Sequence, residues 1–123
     1  MNDLSLYLSE LIKGYNGNGT ILSKESFKEY FKPQLEAKNF IDRNDKNPYS
    51  ESYNVGIFIG FGCTGFIGHT GGDPGVGSMM FFDPKNNIGR ILIVNTSFSD
   101  KKGNDTFYGI WDKLEKYQFK LTN

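Results

Sequence analysis

The apolar pattern of this chain changes from helical to strand-like period near Tyr53 and back near Asn104, and those changes confine it to a small set of folds. Before the first change, Leu4, Leu8, Leu11, Ile12 and Tyr15 recur at 4, 7, 8 and 11 steps from the first of them, one stripe of an amphipathic helix. Asn2 or Asp3 can cap that helix, and Gly14 with Asn16-Gly17-Asn18-Gly19 ends it. A second, short helix is expected after Ser23, with Glu25 in its first turn, Phe27, Tyr30 and Phe31 on one face and Pro33 as its stop. Residues 36–52 are polar and charged apart from Phe40 and Ile41, and read as a surface loop.

Beyond Tyr53 the runs are short and strand-like. Tyr53 to Phe61 and Phe66 to Thr70 flank the turn Gly62-Cys63-Thr64-Gly65. Ser78 to Asp83 and Arg90 to Thr96 flank Pro84-Lys85-Asn86-Asn87, where Pro and Asn supply turn geometry. Ile91-Leu92-Ile93-Val94 is apolar without a break, which predicts cover on both faces of its strand. A last helix is expected from about Asn104 to Gln118, its buried stripe being Phe107, Ile110, Trp111, Leu114 and Tyr117 or Gln118. There is no internal repeat. The order helix, helix, antiparallel meander, helix predicts an α+β fold: a sheet of three to four antiparallel strands with flanking helices, one domain over residues 1–123.

Bulk composition narrows the partners. A chain of 123 residues buries roughly two-thirds of its unfolded surface, and 11 Phe with 7 Tyr supply much of the area. The 14 basic and 14 acidic residues balance, so no strong field draws nucleic acid or an anionic membrane. No apolar run approaches the ~20 residues of a spanning helix. The start, Met1-Asn2-Asp3-Leu4-Ser5-Leu6, lacks the basic and apolar pattern of a signal peptide, which leaves the compartment open. Cys63 is the sole cysteine, excluding an internal disulfide and a multi-cysteine zinc site. Three Asn-x-Ser/Thr triplets, at Asn18, Asn95 and Asn104, are read as chance in an Asn-rich chain.

Chemistry concentrates in Gly68-His69-Thr70-Gly71-Gly72-Asp73-Pro74-Gly75, which holds the only histidine. Its glycines let a backbone approach a ligand closely, and its apolar flanks put His69 on a strand entering a tight turn. A histidine satisfied by hydrogen bonds at a strand end is the plainer reading of the same residue. One histidine does not make a catalytic zinc site, which takes three protein ligands, and no cofactor or metal is expected. Gly60-Phe61-Gly62-Cys63-Thr64-Gly65 matches the dinucleotide fingerprint, but no helix follows to hold a pyrophosphate. Cys63 and His69 could meet across a hairpin, yet nothing there lowers the thiol pKa.

The ordered series Gly68 to Gly75, Met79-Met80-Phe81-Phe82-Asp83-Pro84 and Ile91-Leu92-Ile93-Val94-Asn95-Thr96 resembles the carboxy-terminal part of serine β-lactamase-related hydrolases. That superfamily includes class C β-lactamases, D-alanyl-D-alanine carboxypeptidases and related esterases. Upstream, Ile21-Leu22-Ser23-Lys24-Glu25-Ser26 and Pro33-Gln34 are similar to the stretch before its last strands, so the likeness spans nearly the whole chain. It implies a partial β-lactamase/transpeptidase-like fold, with His-Thr-Gly as a variant of Lys-Thr-Gly on a strand lining the site. By that resemblance His69 assists proton transfer or holds a substrate carboxylate, and Thr70 presents its hydroxyl. The backbone N–H of Gly72 then supplies half of an oxyanion hole, worth roughly 3–4 kcal/mol, while Gly71 and Asp73 line the substrate.

The family's nucleophile, in Ser-x-x-Lys at the start of a buried helix, has no counterpart. Ser99-Asp100-Lys101-Lys102 is the sole match and reads as a polar turn after the last strand. Tyr15-Asn16-Gly17-Asn18 is not the family's Tyr-x-Asn and follows a helix. The expectation is a hydrolase fragment without turnover of its own, its substrate open among β-lactam, stem peptide and ester. The alternative is a non-catalytic oligomeric interaction or ligand-binding module. In the family the final strand pairs with strands from the amino-terminal part. An open apolar edge at Arg90 to Thr96 therefore predicts a homo-oligomer, or a complementary amino-terminal hydrolase fragment as partner.

Overall fold

A computed structural model of the chain describes residues 1–32, 66–96, 100–118 and 120–121. Helix α1 (Asn2–Tyr15) and helix α2 (Lys24–Phe31) precede strands β1 (Ile67–Asp73), β2 (Val76–Asp83) and β3 (Ile88–Val94), and helix α3 (Lys101–Gln118) follows. The strands form an antiparallel sheet in the order β1-β2-β3. The α+β class holds, with the helices in two layers: α1 and α2 pack on one face of the sheet and α3 on the other.

Side-chain alternation along the strands builds both layers. On one face Leu8, Leu11 and Phe27 enclose Ile67 and Phe82, with Met80, Ile91 and Phe31 at the margin. Phe31 and Tyr15 meet edge to face, their centroids 5.4 Å apart, and Tyr15 meets Phe82 likewise at 5.6 Å. On the other face Met79 and Phe81 pack with Phe107, flanked by Phe66, Leu92, Val94 and Trp111. Both faces of Ile91 to Val94 are therefore partly covered, but Ile93 lies beyond the reach of α1 and stays 45% exposed.

The local chemistry explains most element ends and corrects several. Helix α1 starts at Asn2 with Met1 as its N-cap and no side-chain cap, so Asn2 and Asp3 lie in its first turn rather than capping it. Helix α2 begins after Ser23 as expected, and the Ser23 hydroxyl caps it by accepting the Ser26 N–H at 3.1 Å. Helix α3 starts at Lys101, not near Asn104, because the Asp100 carboxylate accepts the Gly103 N–H at 2.6 Å. Along α3, Phe107 and Gln118 are buried and Trp111 and Leu114 half-buried, whereas Ile110 and Tyr117 face outward.

The hairpin corners are also sharper than the sequence suggests. Strand β1 continues through Gly71, Gly72 and Asp73, and β2 begins at Val76, so only Pro74-Gly75 turns the chain. Proline presets the first corner residue and Gly75, at φ +86, takes the left-handed second position. Between β2 and β3, Asp83 accepts the Lys85 N–H at 2.8 Å, Asn86 accepts the Ile88 N–H at 3.1 Å, and Asn87 adopts φ +61. That closure brings β3 in at Ile88 and ends it at Val94, two residues ahead of the expected span. The expected strand Tyr53 to Phe61, the Gly62 to Gly65 turn with Cys63, and the loop of residues 36–52 lie outside the described residues.

Candidate functional site

His69 lies in the middle of β1, opposite Met80, and not at a strand end. Its flank is held by Gly68, where a Cβ would stand 2.1 Å from the Met80 carbonyl oxygen; any larger residue forces β1 off β2. The imidazole is exposed, and its Nδ1–H donates to the Thr70 carbonyl oxygen. A carbonyl only accepts, so in the neutral ring the proton sits on Nδ1 and Nε2 is the basic nitrogen.

Strand alternation divides the five site residues between two faces. His69 pairs with Met80, which borders the α1/α2 core, so His69, Gly71 and Asp73 belong to that side. Thr70 pairs with Met79 of the α3 core, so Thr70 and Gly72 belong to the other. Gly71 lies opposite Ser78, whose hydroxyl donates to its carbonyl at 3.4 Å. Gly72 lies opposite Gly77, with open space where a Cβ would be, and Asp73 lies exposed opposite Val76. Among the described residues, a ligand touching His69 and Thr70 together would run along the outer edge of β1, because neither sheet face presents both.

The other sequence matches are structural where they are described. Tyr15 is 44% exposed and only the edge of its ring meets Phe31 and Phe82, and the Asn16 side chain ends α1 by donating to the Ile12 carbonyl and to Asn87 Oδ1, both at 2.8 Å. Lys101 and Lys102 are exposed in the first turn of α3, so that pair opens a helix instead of forming a turn; Ser99 is outside the described residues.

One buried polar group was missed in the sequence. Arg90 is 6% exposed and its guanidinium is sandwiched between Phe66, 4.6 Å from the ring centre, and Trp111, 4.5 Å away. Nη1 donates to Glu115 at 3.2 Å, while Nε and Nη2 have no hydrogen-bond partner among the described residues. Buried Gln118 donates to Asp83 Oδ2 at 3.4 Å. The signal was available: a lone arginine within Ile88-Gly89-Arg90-Ile91-Leu92-Ile93-Val94 has to bury or flip out.

Three cavities of about 340, 320 and 290 Å³ border the helices, and none of the three is lined by residues 69–73. Among the described residues no three His, Cys, Asp or Glu side chains group closely enough to hold a metal ion, and no helix is long and apolar enough to cross a membrane. Comparison with protein-family models, with curated proteins and with solved structures found no match.

Proposed function

We propose that this chain supplies the strand-borne wall of a serine-hydrolase-type acyl-transfer site and has no turnover by itself. The observation that carries this reading is the extended His69-Thr70-Gly71-Gly72 run on β1, exposed except at half-buried Thr70, with Nδ1 of His69 engaged and, among the described residues, open space at Gly72. In this reading Nε2 of His69 moves a proton or holds a carboxylate, Thr70 offers its hydroxyl, and the Gly72 N–H is one oxyanion donor. Gly71 leaves room for the substrate and Asp73 lines its far end. The nucleophile comes from a Ser-x-x-Lys helix in another segment or another chain. The test adds an amino-terminal hydrolase fragment bearing that motif and follows acylation by a fluorescent penicillin. Labelling of the added serine that falls at least about tenfold on His69→Ala supports the reading; labelling indifferent to His69 and Thr70 overturns it.

A second reading, an assembly module, is favoured by a different observation. The outer edge of β3 pairs with no strand among the described residues, and Ile93 stands exposed on it.

A further inference from the structure

We propose that the chain forms a two-fold dimer by antiparallel pairing of β3 with β3 of a second copy, centred on Ile91, each Ile93 seating opposite Gly89 of its partner. The inference deepens the assembly reading and rests on it, not on the chemistry of β1.

Three features of β3 fit a second copy of itself. First, among the described residues the edge lacks most common guards against pairing, its inward-turned Arg90 excepted. It has no Lys, Glu or Pro, and its register with β2 runs from Ile88 to Val94 without a bulge. Strand β1, at the opposite end of the sheet, is instead Gly-His-Thr-Gly-Gly-Asp after its first residue. Second, the only charge on β3 is spent internally. Arg90 is buried between Phe66 and Trp111 and paired with Glu115, so two copies meeting across a two-fold axis bring no like charges together.

Third, the strand carries both a projection and a recess on one face. A groove of about 290 Å³ runs between the amino end of α1 and β3, lined by Met1, Ser5, Leu8, Gly89 and Ile91. Ile93 shares that face, two residues past Ile91, and is 45% exposed. Gly89 stays without a side chain because Leu8 occupies the space above it; a Cβ there would stand 2.5 Å from the Leu8 side chain. Centring the two-fold on Ile91 pairs Ile88 with Val94, Gly89 with Ile93 and Arg90 with Leu92, which uses the whole strand. Each Ile93 then lies beside the groove of its partner. Centring on Leu92 would pair Ile93 with Ile91, side chain against side chain, and leave Ile88 without a partner in β3. Both registers keep like faces together, and only the first sets Ile93 opposite a residue without a side chain and pairs the whole strand.

Single cysteines in a Cys63→Ser background read the register directly. Residues facing each other across antiparallel strands have Cα atoms about 4.5–5.5 Å apart, within disulfide reach. Under mild oxidation Ile91→Cys is expected to give a reducible covalent dimer, and Leu92→Cys and Ile93→Cys none. Cross-linking at Leu92 or Ile93 instead overturns the register while leaving an assembly. A dimer by light scattering with no cross-link at any of the three places the interface elsewhere and overturns the proposal. A monomer overturns the assembly reading with it, as does pairing that appears only with an added hydrolase fragment. Ile93→Lys, at an exposed position the fold does not need, is expected to raise the dimer dissociation constant at least about tenfold; an unchanged constant with the native circular dichroism counts against the interface.

Discussion

At the scale of single residues, Arg90 shows how closely opposed terms set the stability of this sheet. Its two ring contacts contribute about 1 kcal/mol each and its bond to Glu115 about 1–2 kcal/mol, discounted because Glu115 is 41% exposed. Against them stand the desolvation of a guanidinium and the three N–H groups of Nε and Nη2, which have no partner among the described residues. A buried charge that is only partly paired contributes little net stability. Arg90→Met, apolar and of similar length, is therefore expected to unfold within about 1 kcal/mol of the parent. Arg90→Ala, which empties the space between Phe66 and Trp111, is expected to lose about 3 kcal/mol in urea titration. Glu10 gives a sharper signature. Lys13, at 2.7 Å, is the main cause holding its carboxyl down at about 2 rather than 4.5, helped by the N–H and hydroxyl of Thr20, each at 2.8 Å. A folded pKa below the unfolded one means the contribution is complete above about 4.5 and is lost as pH falls toward about 2. Glu10→Gln should flatten the fall of Tm across that window; a profile parallel to the parent's would show that Glu10 does not tie residue 20 to α1.

At the scale of elements, α3 is held by its cap and by a narrow stripe. Asp100→Ala removes the acceptor of the Gly103 N–H and is expected to cost about 1 kcal/mol, seen as a Tm lower by about 3–6 °C for a domain of this size. This cap is also where the sequence was hardest to read. Lys101, Lys102, Gly103 and Asn104 hold no apolar stripe and include a poor helix former, so periodicity alone began the helix late. The opposite holds at α1 and α2, where spaced Leu and Phe residues and Ser23 announce both helices. In β1, glycines usually signal a turn, and only the Pro74-Gly75 corner reveals that Gly71 and Gly72 are paired with Ser78 and Gly77. The site was legible as residue types but not as geometry. Alternation that sets His69 and Thr70 on opposite faces depends on the strand continuing past Thr70, a fact held by register with β2 and not by the motif.

At the scale of the whole molecule, the two-layer packing assigns each strand a different task. Strand β2 is the centre, covered by Leu8, Leu11 and Phe27 on one face and by Phe107 and Trp111 on the other. Strand β3 carries an apolar edge that suits a copy of itself, and β1 carries the polar residues that suit a ligand. In the proposed reading, donors fixed on β1 stabilise charge without reorganising, and the nucleophile comes from elsewhere. Intact-mass spectrometry after incubation with a fluorophosphonate tests the proposed partial chemistry. The folded chain, at 13.9 kDa, is expected to emerge with its mass unchanged. A stoichiometric phosphonyl adduct on a serine of this chain, abolished by His69→Ala, would contradict the account.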